Sequence, residues 1–155
     1  MNILIIFAAK YLIAIIALAA VVAIWSRPRL RVQLYAVLVV SLALGYVLAR
    51  LAGVFFSHQQ PFAVEGFTPL VPHEVDNSFP SDHTLLGGVF ASVAWLVDWR
   101  VGVALWVLTL AVGVARIMAG LHWPVDIMAS VVLAVAAVWI VHLVFRNFFH
   151  TKVLG

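Results

Sequence analysis

Apolar positions along this chain fall in long unbroken runs. They show neither the alternation of a half-buried strand nor the one-sided stripe of a soluble helix. Five runs can be drawn, at about 3–25, 33–56, 83–99, 101–119 and 123–145. A helix needs about twenty consecutive apolar residues to cross the ~30 Å hydrocarbon core of a bilayer. The pattern therefore predicts an all-α, polytopic membrane helical bundle of about five transmembrane helices. The third run is the shortest and reads as tilted or partly interfacial. Connections after the first, third and fourth runs are too short for a second domain and no repeat is evident, so residues 1–155 are expected to form a single integral-membrane domain. The connection 57–82 breaks the pattern. It is polar and contains Pro61, Pro69, Pro72 and Pro80, with Phe62, Phe67, Leu70, Val71 and Phe79 as apolar anchors. A connector this long without its own secondary structure is usually functional or disordered. Proline restriction and aromatic anchoring predict an ordered loop over one end of the bundle.

Composition agrees with the pattern. The chain is 66% hydrophobic and 10% charged, with a mean hydropathy of +1.16, whereas about a quarter of residues are charged in soluble domains. The basic balance does not imply a nucleic-acid partner, because the nine Lys and Arg residues are scattered at the ends of apolar runs. The absence of cysteine excludes a disulfide framework and a thiolate metal site. The first run opens without a basic n-region and shows no convincing cleavage site before the arginine cluster, so it reads as a retained span rather than a signal peptide. Arg27, Arg29, Arg31, Arg100, Arg146 and Lys152 fall on one side if five helices alternate. The positive-inside rule makes that side cytoplasmic, which puts the N-terminus out, the C-terminus in, and the loop 57–82 with the turn at 120–122 together on the outer face.

Two polar stretches could carry chemistry at that face. The first is Ser78 to His83, Ser-Phe-Pro-Ser-Asp-His. Pro80 before a first turn with Ser81 or Asp82 as cap describes a helix N-terminus. Such a terminus offers unpaired N–H groups and partial positive charge to a phosphate. His83 would sit just inside it, placed to exchange a proton with a docked anion; a capped helix with an interfacial histidine is the plainer alternative. The second stretch holds Arg116, Gly120, His122 and Asp126. Arg116 falls near the end of an apolar run, where facing lipid is expensive, so it should face the bundle interior or an anionic ligand. Gly120 permits a tight turn. His122 and Asp126 are four apart and share a face if the next helix has begun. A carboxylate bonded to one ring nitrogen would fix the tautomer and leave the other nitrogen basic, as nucleophilic or general-base catalysis requires. Helix capping by Asp126 and a histidine snorkelling to the interface remain the structural alternatives.

These stretches resemble the second and third signature motifs of the type 2 phosphatidic acid phosphatase superfamily: Pro-Ser-Gly-His, matched by Pro80, Ser81 and His83, and Ser-Arg, three residues, Gly, one residue, His, three residues, Asp, matched by Arg116, Gly120, His122 and Asp126. Asp82 replaces a glycine and Ala115 a serine. The wider stretch 72–83 resembles the bacterial undecaprenyl-diphosphate phosphatase, or bacitracin-resistance, branch. The first family motif, a lysine followed six residues later by Arg-Pro, is altered: Gly53 stands at the lysine position and Gln60, Pro61 and Phe62 stand where Arg-Pro-Phe is usual. Gln60 can donate hydrogen bonds to phosphate without charge; Arg50 or Lys10 could replace the missing cation, or could snorkel outward or pair with loop carboxylates.

The resemblance implies metal-independent hydrolysis through a phosphohistidine and no cofactor. His122, oriented by Asp126, would attack phosphorus, and His83 would protonate the leaving oxygen and then activate water. Arg116, Ser81 and the N–H groups of the third run would hold the phosphoryl oxygens, with Gln60 and Arg50 as further phosphate ligands and Asp82 capping or orienting a neighbour. The implied partner is a polyprenyl diphosphate, undecaprenyl diphosphate first, hydrolysed on the outer face of a bacterial cytoplasmic membrane to recycle the cell-wall lipid carrier. A phosphatase of phosphatidic acid or phosphatidylglycerol phosphate is the alternative enzyme. A non-catalytic lipid-binding protein is the alternative from another class. Trp25, Trp99 and Trp123 read as interfacial anchors, His58 and His73 as loop histidines that could touch a head group, His142 and His150 as bystanders, and Gly87, Gly88 and Ala91 as a close-packing face.

Overall fold

The long apolar runs become helices because lipid leaves each backbone N–H and C=O no partner outside its own segment. A computed structural model describes the backbone of residues 2–153 and the side chains of residues 2–146; the side chains of His150 and Lys152 lie outside what it describes. In order, the helices are α1 (Asn2–Lys10), α2 (Leu12–Trp25), α3 (Arg31–Phe55), α4 (Pro61–Glu65), α5 (Asp82–Val97), α6 (Trp99–Met118) and α7 (Pro124–Val153). Among the described residues the one departure from helix and loop with paired backbone is an isolated antiparallel bridge between Gln59 and Asn77.

α3, α6 and the Pro124–Arg146 part of α7 are each long and apolar enough to cross a membrane. The first run differs from its expectation: it breaks at Tyr11 into α1 and α2, bent by 45°, and completes a fourth span if the pair is counted as one. The chain is an integral membrane protein. The third run becomes the 16-residue α5, about 24 Å long at 1.5 Å per residue and so shorter than a bilayer core. α5 is the central helix, in contact with α2, α3, α6 and α7, and most of its side chains meet protein rather than lipid. Lipid is as apolar as leucine, so association depends on close approach. Gly87 packs on Thr109, and Gly88 lies where a Cβ would stand 2.7 Å from Ala134 Cβ.

The two ends of the bundle have different chemistry. At one end Arg27 Nη2 donates to the Val97 carbonyl at 3.3 Å, which brings the arginine-bearing α2–α3 connection onto the α5–α6 turn beside Arg100. At the other end the chain after α3 folds over the α6–α7 turn. Phe62 N donates to Gly120 O at 3.1 Å and Leu70 N to Ala119 O at 3.2 Å. The connection is ordered as expected, but it contains α4, which the sequence reading did not anticipate. Pro61 opens this short helix and Gly66, at φ 72°, closes it. Phe62 and Val71 pack with Ala9, Ala115, Ala119 and Leu121 to form the apolar floor beneath the loop.

Candidate active site

Four segments converge at the loop-covered end. Ser81 is the N-cap of α5, its Oγ accepting from Thr84 N at 3.5 Å and Thr84 Oγ1 at 3.2 Å. The Phe79–Pro80 peptide bond is cis. Ser130 Oγ of α7 donates to Ser81 O at 2.9 Å, locking this terminus against α7. First-turn N–H groups, here those of Asp82 and His83, have no intrahelical acceptor. His83 is half-buried and lies within electrostatic reach of Arg116 and His122.

The α6–α7 turn presents the other group. Gly120 has φ 79°, and a Cβ there would meet the Phe67 ring at 2.5 Å, so both conformation and space require glycine. Two residues on, His122 is buried between two partners that assign its tautomer. Ser78 O, which can only accept, lies 2.9 Å from Nδ1; Arg116 Nη2, which can only donate, lies 3.1 Å from Nε2. The proton is therefore on Nδ1 and the lone pair on Nε2, directed at a guanidinium. Arg116 is only 4% exposed, its Nε has no hydrogen-bond partner, and among the described residues no carboxylate lies within salt-bridge distance of it.

Asp126 is fully buried. Its Oδ2 accepts from Ser78 Oγ at 2.5 Å and from Trp123 N at 2.8 Å, the second bond being the carboxylate half of a capping box that starts α7. Oδ2 stands 3.5 Å from His122 Nδ1, and Oδ1 lies 2.9 Å from His58 Nε2. The expected direct carboxylate–imidazole bond is thus a bridged one. Asp126 folds back to cap its own helix, the Ser78 carbonyl takes the ring proton, and the Ser78 hydroxyl links the two. The oxygen that caps α7 is also the one that stands nearest His122.

The remaining candidates divide. Gln60 is buried, but its amide Nε2 donates to Glu74 O at 3.4 Å and to the Asp76 carboxylate, while its Oε1 accepts from Asp76 N at 3.1 Å. Both N–H groups are engaged by the loop, so Gln60 staples that loop and does not face a phosphate. Gly53 accommodates the same loop: a Cβ there would lie 3.0 Å from both Asn77 Nδ2 and Phe79 O. Arg50 is half-exposed and paired with Asp82 at 2.5 Å, its guanidinium 5.0 Å from the Tyr46 ring centroid. Lys10 is exposed over Tyr11 and does not join the site. His73 does approach it. Burial, with the nearby Arg116 guanidinium, lowers its pKa from the ordinary 6.5. His142 lies edge-on to Trp139 in the opposite half of α7. Ser78 and the His58–Asp126 contact were not assigned roles from sequence. A serine before Phe-Pro carries no chemical signal, and only pairing of 58–60 with 76–78 brings these residues behind His122. No cluster of three or more His, Cys, Asp or Glu suited to a metal occurs among the described residues.

Comparison with known proteins bears on this geometry. The sequence profile of the PAP2 superfamily matches residues 34–150. The chain is 34% identical over 136 residues to the bacitracin transport permease protein BcrC of Bacillus licheniformis, covering 87% of this chain and 67% of that protein. It is 37% identical over 92 residues to the undecaprenyl-diphosphatase BcrC of Bacillus subtilis, covering 59% of this chain and 47% of that protein. The chain thus spans about two thirds and about half of these relatives' lengths. The crystal structure of Aquifex aeolicus LpxE superposes with a TM-score of 0.64 at 21% identity, over 89% of this chain and 92% of that one, a likeness of fold.

Proposed function

The chain belongs to the PAP2 superfamily, and on that footing we propose that it hydrolyses the phosphate anhydride or ester of a membrane lipid through a phosphohistidine. The observation that carries this reading is the buried Arg116, without a carboxylate partner among the described residues, aimed at the Nε2 lone pair of a His122 whose Nδ1 is protonated. A guanidinium taken from water needs a compensating anion, and a phosphoryl group held there would meet the nucleophile. In the proposed reaction Nε2 attacks phosphorus as the P–O bond to the leaving group breaks. His83 gives that oxygen a proton. The ring of His122, still protonated at Nδ1, gains positive charge that Asp126 offsets through Ser78. His83, now neutral, takes a proton from water as the water's oxygen attacks phosphorus and the N–P bond breaks, releasing phosphate. Arg116 and the first N–H groups of α5 stabilise the phosphoryl oxygens throughout. Ser81 holds the helix end in place and can still donate its hydroxyl proton, and Arg50, oriented by Asp82, supplies a cation at the rim.

Two observations support a tailed substrate and its identity. An apolar groove of about 420 Å³ is lined by Ala52, Phe56, Phe79, Val125, Met128 and Leu133. The groove lies along α3 and α7, and two of its lining residues, Phe79 and Val125, are the chain neighbours of Ser78 and Asp126. Relatives named for undecaprenyl diphosphate hydrolysis and bacitracin transport support undecaprenyl diphosphate as substrate and recycling of a cell-wall lipid carrier as the role. The arginines gathered at the opposite end support an outward-facing site by the positive-inside rule. A phospholipid monophosphatase is the second reading, favoured by the cations absent at Gly53 and Gln60. The test is phosphate release in excess EDTA from undecaprenyl diphosphate and phosphatidic acid side by side, with His122→Ala as control. Preference for the diphosphate, abolished in the variant, is expected. Preference for phosphatidic acid establishes the second reading, and no release from either lipid by folded protein refutes the enzyme.

A further inference from the structure

We propose that His58 is a positioning residue for the nucleophile, holding Asp126 from behind; the inference rests on His122 being the phosphoryl acceptor. Asp126 is a buried carboxylate with its two oxygens in different surroundings. Oδ2 is held by Ser78 Oγ and Trp123 N and faces His122. Oδ1 has a single hydrogen-bond partner among the described residues, His58 Nε2 at 2.9 Å. Without it, a buried anionic oxygen loses its donor, and only the two bonds to Oδ2 oppose rotation of the carboxylate away from His122.

His58 is itself tied to the same residue that orients His122. Its carbonyl accepts from Ser78 N at 2.8 Å, its N–H donates to Asn77 Oδ1 at 3.2 Å, and its ring rests 5.9 Å from the Phe79 ring. A closed circuit results, from His58 through the Asp126 carboxylate to the Ser78 hydroxyl and back through Ser78 N. The Ser78 carbonyl extends from that circuit to His122 Nδ1. The position carries a further meaning here. Segment 53–60 has Gly53 and Gln60 where the family it resembles carries charged side chains, and both serve the loop here. The segment's contribution to the reaction is thereby moved from the phosphate's side of His122 to the far side, as a histidine that keeps Asp126 fixed while charge builds on the imidazole.

The experiment compares the detergent-purified full chain with His58→Gln, whose amide Nε2 can still donate to Asp126, and His58→Phe, which keeps the ring against Phe79 but donates nothing. His58 is one-third exposed in a loop, so the fold tolerates both, and His58→Leu serves if the Phe variant yields no folded protein. Steady-state hydrolysis of undecaprenyl diphosphate and phosphatidic acid is measured with the better substrate, and single-turnover phosphoenzyme formation is normalised to folded protein. Losing one hydrogen bond to a buried charge should lower kcat and the phosphorylation rate of His58→Phe roughly 10- to 150-fold, with KM within about threefold and with His58→Gln recovering most of the rate. The proposal is overturned if His58→Phe keeps kcat within twofold, if Gln and Phe lose rate equally, or if KM rises while kcat is unchanged. A folded wild type that releases phosphate from neither lipid overturns the phosphatase reading itself, and this inference with it.

Discussion

Replacing Arg116 with methionine should raise the stability of the ligand-free protein while removing its activity. The side chain is 4% exposed, and among the described residues its Nε is unpartnered and its one hydrogen bond is to the Nε2 lone pair of His122. Removing an ion of this kind from water costs several kcal/mol after relaxation, and one bond to a neutral nitrogen returns only about 1.5–3 kcal/mol. Methionine fills similar volume without that penalty, so the variant should gain about 1–2 kcal/mol, or several degrees of Tm at roughly 2–4 °C per kcal/mol for a chain of this size. Activity moves the other way. Two charge-assisted bonds to a phosphoryl group, each worth about 1.5–3 kcal/mol, correspond to a loss of roughly a hundredfold to ten-thousandfold in kcat/KM. Thermal melting in detergent with and without inorganic phosphate, alongside lipid hydrolysis, reads both effects. Phosphate should raise the Tm of the wild type and leave the variant unmoved. A variant destabilised by about 3–5 kcal/mol, as when a buried ion pair loses one member, would show that Arg116 is structural. Retention of more than a tenth of the activity would refute the argument equally.

Ser78→Ala removes the hydroxyl between Asp126 and His122 but leaves the carbonyl that fixes the tautomer; kcat should fall roughly 10- to 150-fold with KM unchanged, read in the same assay. Gly120→Ala must hold φ 79° against the Phe67 ring. It should lower the Tm by an amount equivalent to about 1–3 kcal/mol and slow hydrolysis by displacing His122, both absent if the turn is not as described. His73 tests electrostatics through pH. Its pKa is lowered in the folded state by burial and by Arg116, so its contribution is present above the ordinary 6.5 and is lost as pH falls through the lower folded value, because the unfolded chain binds the proton first. Wild-type Tm should therefore drop more than that of His73→Gln between pH 7.5 and pH 5, and parallel curves would remove His73 from the neighbourhood of Arg116.

The order and length of apolar runs determined the class of this protein, because a bilayer accepts only segments that satisfy their own backbone. Local chemistry determined the start of α5, where Ser81 caps, and the turn at Gly120. Those signals lie within a few residues of the atoms they control. The contents of the loop were not legible in this way. Gln60 is a phosphate-ligand candidate in the sequence because it stands where the resembling family has arginine; only the fold brings Glu74 and Asp76 onto it. The bend at Tyr11 has no proline or glycine to announce it, and the shortness of α5 is acceptable only because four helices surround it. The arrangement behind His122 was decided wholly by tertiary structure. His58, Ser78 and Asp126 are far apart in the chain, each has an ordinary local explanation, and the capping bond that places Asp126 holds its oxygen 3.5 Å from the His122 ring nitrogen. Residue types and spacing set which groups gather at the loop-covered end. Long-range pairing of the loop set which of them hold Asp126 and His122, because a hydrogen bond between distant segments leaves no periodicity in the sequence.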